Sequence, residues 1–327
     1  MKISVAMCTY NGARHLREQL ESIAAQTQLP HELIVCDDAS SDESVTIIED
    51  FAAGAHFPVQ LHLNTTNIGS SKNFERAISQ CSGDVIALCD QDDIWLPTKL
   101  ARFAVEFARS FQVGMVFTDA EVIDDELRPM GYSLWEKLNF GRDERERLQR
   151  GRGFDSLLQG ATVTGATAAF RSRFKHLVLP IPDDLPVIHD AWIALLVGAI
   201  AEILPLSDRL IQYRQHPGQQ VGALERKGQP SALVGGSFSE ALTRKNPYLE
   251  MLAIAQAVRG RLADRIDAFD SNKILPGLEG RIIHLTARSS LPRGRLQRFP
   301  YVLRELWSRR YHRYSNGFRS ALKDLFA

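Results

Sequence analysis

Two hydrophobic periods alternate over residues 1–120 of the chain. Short apolar runs at 3–8, 32–36, 59–63, 85–89 and 114–117 are rich in β-branched or aromatic residues, the pattern of strands buried on both faces. Between them, residues 13–26, 42–53, 71–80 and 97–111 carry apolar side chains at helical spacing. Ser41 or Asp42 is placed to cap the second helix, and Pro97 lies early in the fourth, where its missing N–H costs little. Strands alternating with helices predict an α/β fold built on a mostly parallel sheet with right-handed crossovers. Ligands in such sheets bind at the carboxyl ends of the strands, near a switch in strand order.

Residues 120–221 are less regular. A small-residue run from Gly160 to Phe170, read as a strand over Gly165–Phe170, is followed by a proline-rich link at 180–186, a helix from about Asp190, and a strand pair at 201–206 and 209–215. The stretch 218–236, rich in Gly, Gln and Ser, reads as a flexible connection, and 238–327 reads as wholly helical. The expected organisation is an α/β domain at 1–220 (halves about 1–118 and 119–220), a connection at 221–237 and a helical region at 238–327. Near the end, Phe299, Leu303, Trp307, Tyr311, Tyr314, Phe318 and Leu322 recur at steps of three or four, one amphipathic stripe bent or broken at Asn316-Gly317. Such a helix either packs its aromatic face on the α/β domain or lies in a membrane interface, with its arginines on anionic lipid.

Composition places the chain among globular proteins: 327 residues, 44% hydrophobic and 24% charged, enough for one large domain with an appendage. Basic and acidic residues balance at 39 each, but residues 291–327 hold nine Lys/Arg against two Asp/Glu. A basic tail on an otherwise acidic chain suggests an anionic partner surface. The apolar run at the start is too short for a signal-peptide core, and no run reaches the ~18 residues of a membrane span. Cys8, Cys36, Cys81 and Cys89 follow no metal-ligand spacing and read as reduced, buried thiols of a cytoplasmic protein.

The fourth apolar run ends in Asp90-Gln91-Asp92-Asp93, followed by Ile94-Trp95. Carboxylates this close oppose one another's ionisation, and a divalent cation removes the conflict. A hard cation such as Mg²⁺ takes one or two carboxylates plus phosphate oxygens, which suits a nucleotide diphosphate. The same aspartates also suit a turn that caps the helix near Pro97.

Six pieces, each at or near a predicted strand exit or helix start, occur in order: Thr9-Tyr10-Asn11-Gly12; Asp37-Asp38-Ala39-Ser40-Ser41-Asp42; Asn67-Ile68-Gly69 with Asn73; Asp90-x-Asp92; His189-Asp190 before Ala191-Trp192; and Tyr213-Arg214-Gln215-His216. In this ordered set residues 1–220 resemble a family-2 glycosyltransferase of GT-A fold, and the fourth to sixth pieces look like its rhamnosyltransferase-like members. The resemblance implies an inverting transfer of one sugar from a dTDP- or UDP-activated donor to a glycan or lipid-linked acceptor in cell-surface polysaccharide synthesis, with Mg²⁺ or Mn²⁺ as cofactor. No nucleic-acid partner is expected; for a cytoplasmic enzyme the basic C-terminal helix adds an expected peripheral contact with the inner face of the membrane.

By the same resemblance Thr9, Tyr10 and Asn11 border the base, Asp38 accepts from the pyrimidine N3–H, and Asn73 belongs to the donor side. Asp90 contacts ribose or metal, Asp92 is the principal metal carboxylate, Asp93 is a neighbour of the metal or a helix cap, and His216 completes the metal site. Asp190 is the catalytic base, with Gly165, His189 and Trp192 on the acceptor side. Simpler readings stay open: Asp38 as a turn carboxylate, His216 as a surface histidine, Asp190 as the N-cap of its helix, and Gly165 as a packing glycine. Family members often carry Glu where His189 stands, and the rhamnosyltransferase-like subset resembles this chain there. No Gln-x-x-Arg-Trp of processive synthases occurs. A nucleotidyltransferase would open with a Gly-rich phosphate loop, which Thr9-Tyr10-Asn11-Gly12 is not; a non-catalytic sugar-nucleotide-binding scaffold would lack one of Asp92, Asp190 or His216.

Overall fold

The computed structural model describes residues 1–148, 154, 157, 163–216, 219, 246–265 and 275–326. The first half runs β1 (Ile3–Thr9), α1 (Ala13–Ala24), β2 (Glu32–Asp37), α2 (Ser44–Gly54), β3 (Val59–Leu63), α3 (Ser70–Gln80), β4 (Val85–Cys89), β5 (Ile94–Trp95), α4 (Lys99–Arg109) and β6 (Val113–Ile123). It continues through β7 (Pro129–Ser133), α5 (Leu134–Lys137), α6 (Arg142–Arg147), β8 (Ala168–Arg171), α7 (Lys175–Val178), α8 (His189–Ile200) and β9 (Glu202–Arg214). Among the described residues of the C-terminal region lie α9 (Pro247–Ala263), α10 (Leu275–Ser289), α11 (Arg295–Trp307), α12 (Arg310–Tyr314) and α13 (Phe318–Phe326).

One mixed sheet has the order β3-β2-β1-β4-β8-β6-β9-β5, with β7 beside β6. Strands β1 to β4 pair in parallel, as do β6 and β9; β8 joins the two groups by antiparallel pairing to β4 and β6. Strand β1 is buried on both faces: Ala6 and Cys8 enter one core, Val5 and Met7 the other. Strand β3, at the sheet edge, is only half buried. The alternating strand and helix pattern of the sequence therefore forms a helix-flanked, mostly parallel sheet with a helical C-terminal region.

Three local expectations change. The strand pair at 201–206 and 209–215 is the single strand β9: Thr118 pairs with Leu206 but Asp119 with Arg209, so the exposed Ser207-Asp208 is a bulge and not a turn. Gly165–Thr167 forms one 3₁₀ turn before β8 begins. The single C-terminal stripe breaks into α11, α12 and α13, because Arg309 and Gly317 take left-handed backbone conformations (φ 58° and 54°). Tyr311 and Tyr314 are consequently buried, whereas Phe299, Leu303, Trp307, Phe318 and Leu322 are exposed. The stretch 218–236 lies outside the described residues apart from Gln219, as do 160–162.

The C-terminal helices dock through polar contacts. Arg261 of α9 donates to Leu177 O (2.9 Å) and Pro180 O (2.8 Å) and lies over the Trp192 ring. Asp324 of α13 accepts from Arg288 Nε (2.6 Å) and Nη2 (2.8 Å), Tyr248 and Tyr311. Glu305 of α11 is held by His284 Nδ1 at 2.7 Å and by Arg310. Burial pushes the Glu305 carboxyl upward, but the bonds from His284 and Arg310 prevail and hold it at about 2.

Candidate active site

The exits of β1, β2 and β4 are tied together by side chain to backbone bonds. Gln91 clasps the Tyr10 peptide, its Oε1 accepting from Tyr10 N (2.8 Å) and its Nε2 donating to Tyr10 O (3.1 Å). A Cβ on Gly12 would overlap this amide, which accounts for the glycine. Asn11 takes a left-handed conformation (φ 46°); its N–H donates to Ser40 Oγ and its Oδ1 accepts from Ser41 N, both at 2.8 Å. Thr9 is buried, its hydroxyl donating to Asp37.

Asp38 is buried beneath the loop after β3. Its Oδ1 accepts from Asn64 Nδ2 (2.7 Å) and Ile68 N (2.8 Å), and its Oδ2 accepts from Gly69 N (2.9 Å). Asn73 steadies Asn64 and donates to Cys36 O. Of the residues expected on the donor side, Thr9 and Asn73 thus work from within the fold, Asp38 organises a loop, and Tyr10 is exposed.

The acidic loop after β4 meets the end of β9. His216 Nε2 lies 2.9 Å from Asp92 Oδ2. Asp93 is buried; its Oδ1 accepts from Arg214 N at 3.1 Å and its Oδ2 has no partner. Burial and the charges of Asp92 and Asp90 push its carboxyl well above the usual range. It does not cap the next helix, whose N-cap is Thr98. Asp90 is pushed up to about 7 by burial and by the charges of Asp92 and Asp190.

Arg214, fully buried, is the hub of this end. Its Nε donates to Asp92 O (2.8 Å) and its Nη1 to Asp125 O (3.0 Å), while Nη2 pairs with Glu18. His15 approaches His216, ring centroids 4.9 Å apart, with its Nε2 3.1 Å from Asp125 Oδ1. Lys99 is buried beneath the loop; its Nζ donates to Ala166 O (2.7 Å) and stands 3.5 Å from the centre of the Trp95 ring. Burial pushes this ammonium down to about 7. Sequence reasoning quoted Arg214 and Gln91 without a role and missed Lys99, His15 and Asp125. A lysine in the first turn of an amphipathic helix carried a faint signal; His15 and Asp125 carried none.

The donor atoms fit a divalent cation. Asp92 and His216 converge, Asp93 Oδ2 is orphaned, and Asp90 and Asp93 are raised by burial and by the charges of the neighbouring carboxylates. No group of three or more His, Cys, Asp or Glu side chains forms a metal cluster among the described residues, so a cation there would draw its other ligands from phosphate and water.

Asp190 lies in the first turn of α8, whose N-cap is Ile188, so it is not the cap its sequence position also allowed. Its Oδ2 accepts from Gly165 N (2.9 Å) and its Oδ1 from Ala191 N (2.6 Å). Burial nevertheless raises its carboxyl to about 6, against the lowering effect of these bonds. A Cβ on Gly165 would stand 3.1 Å from His189 Nε2 and 3.2 Å from Asp190 Cβ, so the glycine permits a close approach. His189 is stacked on Phe74 (centroids 3.9 Å apart, planes 19° apart), and neither ring nitrogen has a partner. Burial pushes this imidazole down to about 3, so it is neutral. Trp192 is core, its indole N–H donating to Val178 O at 2.9 Å, and is not an open acceptor wall.

Comparison with known proteins matches this architecture. The crystal structure of S. aureus TarS 1–349 in complex with UDP-GlcNAc superposes with a TM-score of 0.56 over 98% of this chain and 90% of that one, at 16% identity, a likeness of fold. An uncharacterized protein of Mycobacterium tuberculosis is 29% identical over 225 residues, 65% of this chain; the match spans 59% of the relative's length. The putative glycosyltransferase EpsE of Bacillus subtilis is 37% identical over 123 residues, 36% of this chain and 44% of EpsE. The family model for glycosyl transferase family 2 matches residues 4–176, just over half of the chain, from the first strand through β8. On that match, with the sheet and strand exits described above, the chain belongs to glycosyl transferase family 2.

Proposed function

We propose that the protein is an inverting, metal-dependent glycosyltransferase. It moves one sugar from dTDP-rhamnose or a UDP-sugar to a hydroxyl of a glycan or lipid-linked acceptor in cell-surface polysaccharide synthesis. The observation that carries the reading is Asp190: a buried carboxylate, steered by two backbone amides and within electrostatic reach of Asp90. With one lone pair free on each oxygen, Asp190 takes the proton of the attacking hydroxyl. Asp92 and His216 would hold Mg²⁺ or Mn²⁺, which offsets charge on the departing nucleotide diphosphate. Tyr10 and Asn11 border the base, and Asp38 presents the loop that includes Ile68 and Gly69.

The rhamnosyltransferase-like assignment is supported by Asp90-Gln91-Asp92-Asp93-Ile94-Trp95, His189-Asp190 and Tyr213-Arg214-Gln215-His216. Residues 1–220 form the catalytic domain, 221–237 a connection and 238–327 a helical region through which the enzyme works at the inner face of the cell membrane. No described helix is long and apolar enough to cross a membrane.

A thermal-shift series of dTDP-, UDP- and GDP-sugars, with and without Mg²⁺ or Mn²⁺, tests the donor. Stabilisation by a pyrimidine nucleotide sugar only with metal is expected; stabilisation by GDP-sugars alone would overturn the reading.

A further inference from the structure

We infer that α11 and α13 form a two-helix platform that inserts aromatic and aliphatic side chains into the headgroup region of an anionic phospholipid bilayer. The inference rests on the membrane-peripheral reading for its choice of partner, but its geometry comes from the folded C-terminal region.

Helix α11 buries Val302 and Glu305 and presents Leu296, Phe299, Leu303 and Trp307 at steps of three and four on another face. Helix α13 buries Ala321 and Asp324 and presents Phe318 and Leu322. Leu296 and Trp307 are 92% and 93% exposed, an extent that scattered surface apolar residues do not account for.

The charge on this surface decides what covers it. Residues 291–327 contain two acidic side chains, and the fold takes both inward. Glu305 is held by His284 and Arg310, and Asp324 by Arg288, Tyr248 and Tyr311. Among the described residues of that stretch the exposed charges are therefore all cationic, including Arg295, Arg304, Arg319 and Lys323. The same face of a second copy would set one cationic border against another, whereas aromatic residues with a cationic border match the headgroup and acyl boundary of an anionic bilayer.

The fluorescence of the full chain supplies the test. Trp95, Trp135 and Trp192 are buried and Trp307 is the exposed one of four, so a spectral shift on binding reports Trp307. The probe is vesicles of phosphatidylcholine alone or mixed with phosphatidylglycerol, without donor or acceptor. A blue shift and co-sedimentation are expected with the anionic vesicles only. Binding should fall at least about tenfold in Leu303→Ser/Trp307→Ser and in Arg304→Glu/Arg319→Glu, with unchanged melting temperature.

Equal binding of wild type and both variants, or no binding at low salt, would overturn the platform. So would a concentration-dependent dimer, formed without vesicles and lost in Leu303→Ser/Trp307→Ser, which assigns the face to a second copy. Sugar transfer to a soluble acceptor reads the catalytic proposal separately, so either can fail alone.

Discussion

His216 Nε2 stands 2.9 Å from Asp92 Oδ2, although 124 residues separate them in the chain. The contact is secured by their neighbours. Arg214, two residues before His216, donates to the carbonyl of Asp92 and takes Asp93 Oδ1 on its own backbone N–H. One buried guanidinium thereby fixes the acidic loop against β9, α1 and the turn before β7.

Arg214→Met should lose the bonds to the carbonyls of Asp92 and Asp125 and lower stability by about 1–3 kcal/mol, with little from Glu18, whose side chain is exposed to water. Arg214→Lys should recover part of the stability but little of the metal dependence, because an ammonium lacks the planar fork. Thermal melts with and without divalent metal measure both; a metal-induced shift equal to wild type in Arg214→Met would refute the hub.

Asp190→Asn should retain nucleotide-sugar binding, since Asn keeps an acceptor for one of the two amides, while transfer falls by about 10²–10⁴-fold. A base must be ionised, and the free carboxyl is raised to about 6. The profile of kcat/KM against pH should therefore rise with pH and level off above about 6. A profile flat down to pH 4 would remove Asp190 as the base.

His189→Phe preserves the stack on Phe74 and removes two buried ring nitrogens that have no partner. The protein should melt at the same or a higher temperature, because an unsatisfied buried polar group costs about 1–3 kcal/mol. Transfer should fall if the imidazole serves the acceptor site. A lower melting temperature would show that the nitrogens have structural partners after all.

Glu305 is held down to about 2 from an ordinary 4.5. A depressed carboxyl contributes stability that is fully present above about 4.5 and is lost as pH falls through about 2. The C-terminal helices should loosen over that window, read by helical circular dichroism, and Glu305→Gln should show a weaker pH dependence there.

The first four strands and helices were legible because each buried strand is a continuous apolar run and each helix is amphipathic. Strand β9 looks like two strands in the sequence because Ser207-Asp208 resembles a turn; only the register with β6 reveals a bulge. The order of acidic loop, Asp190 and His216 was visible in the motifs. The contacts that hold them were not: Glu18, Asp125 and Arg214 come from three separate elements, and no local period connects them. The C-terminal stripe misled because period alone cannot register a left-handed Arg309.

Strand β9 lies between β6 and β5 in the sheet, and β5 is the short strand that follows the acidic loop. During synthesis the first four strands can assemble, yet β5 has no neighbour until residues 202–214 arrive more than a hundred positions later. Pairings this distant close slowly. The nascent donor half would therefore carry a loose, self-repelling acidic loop, and competence to grip a nucleotide would appear in one late step when β9 slots into place.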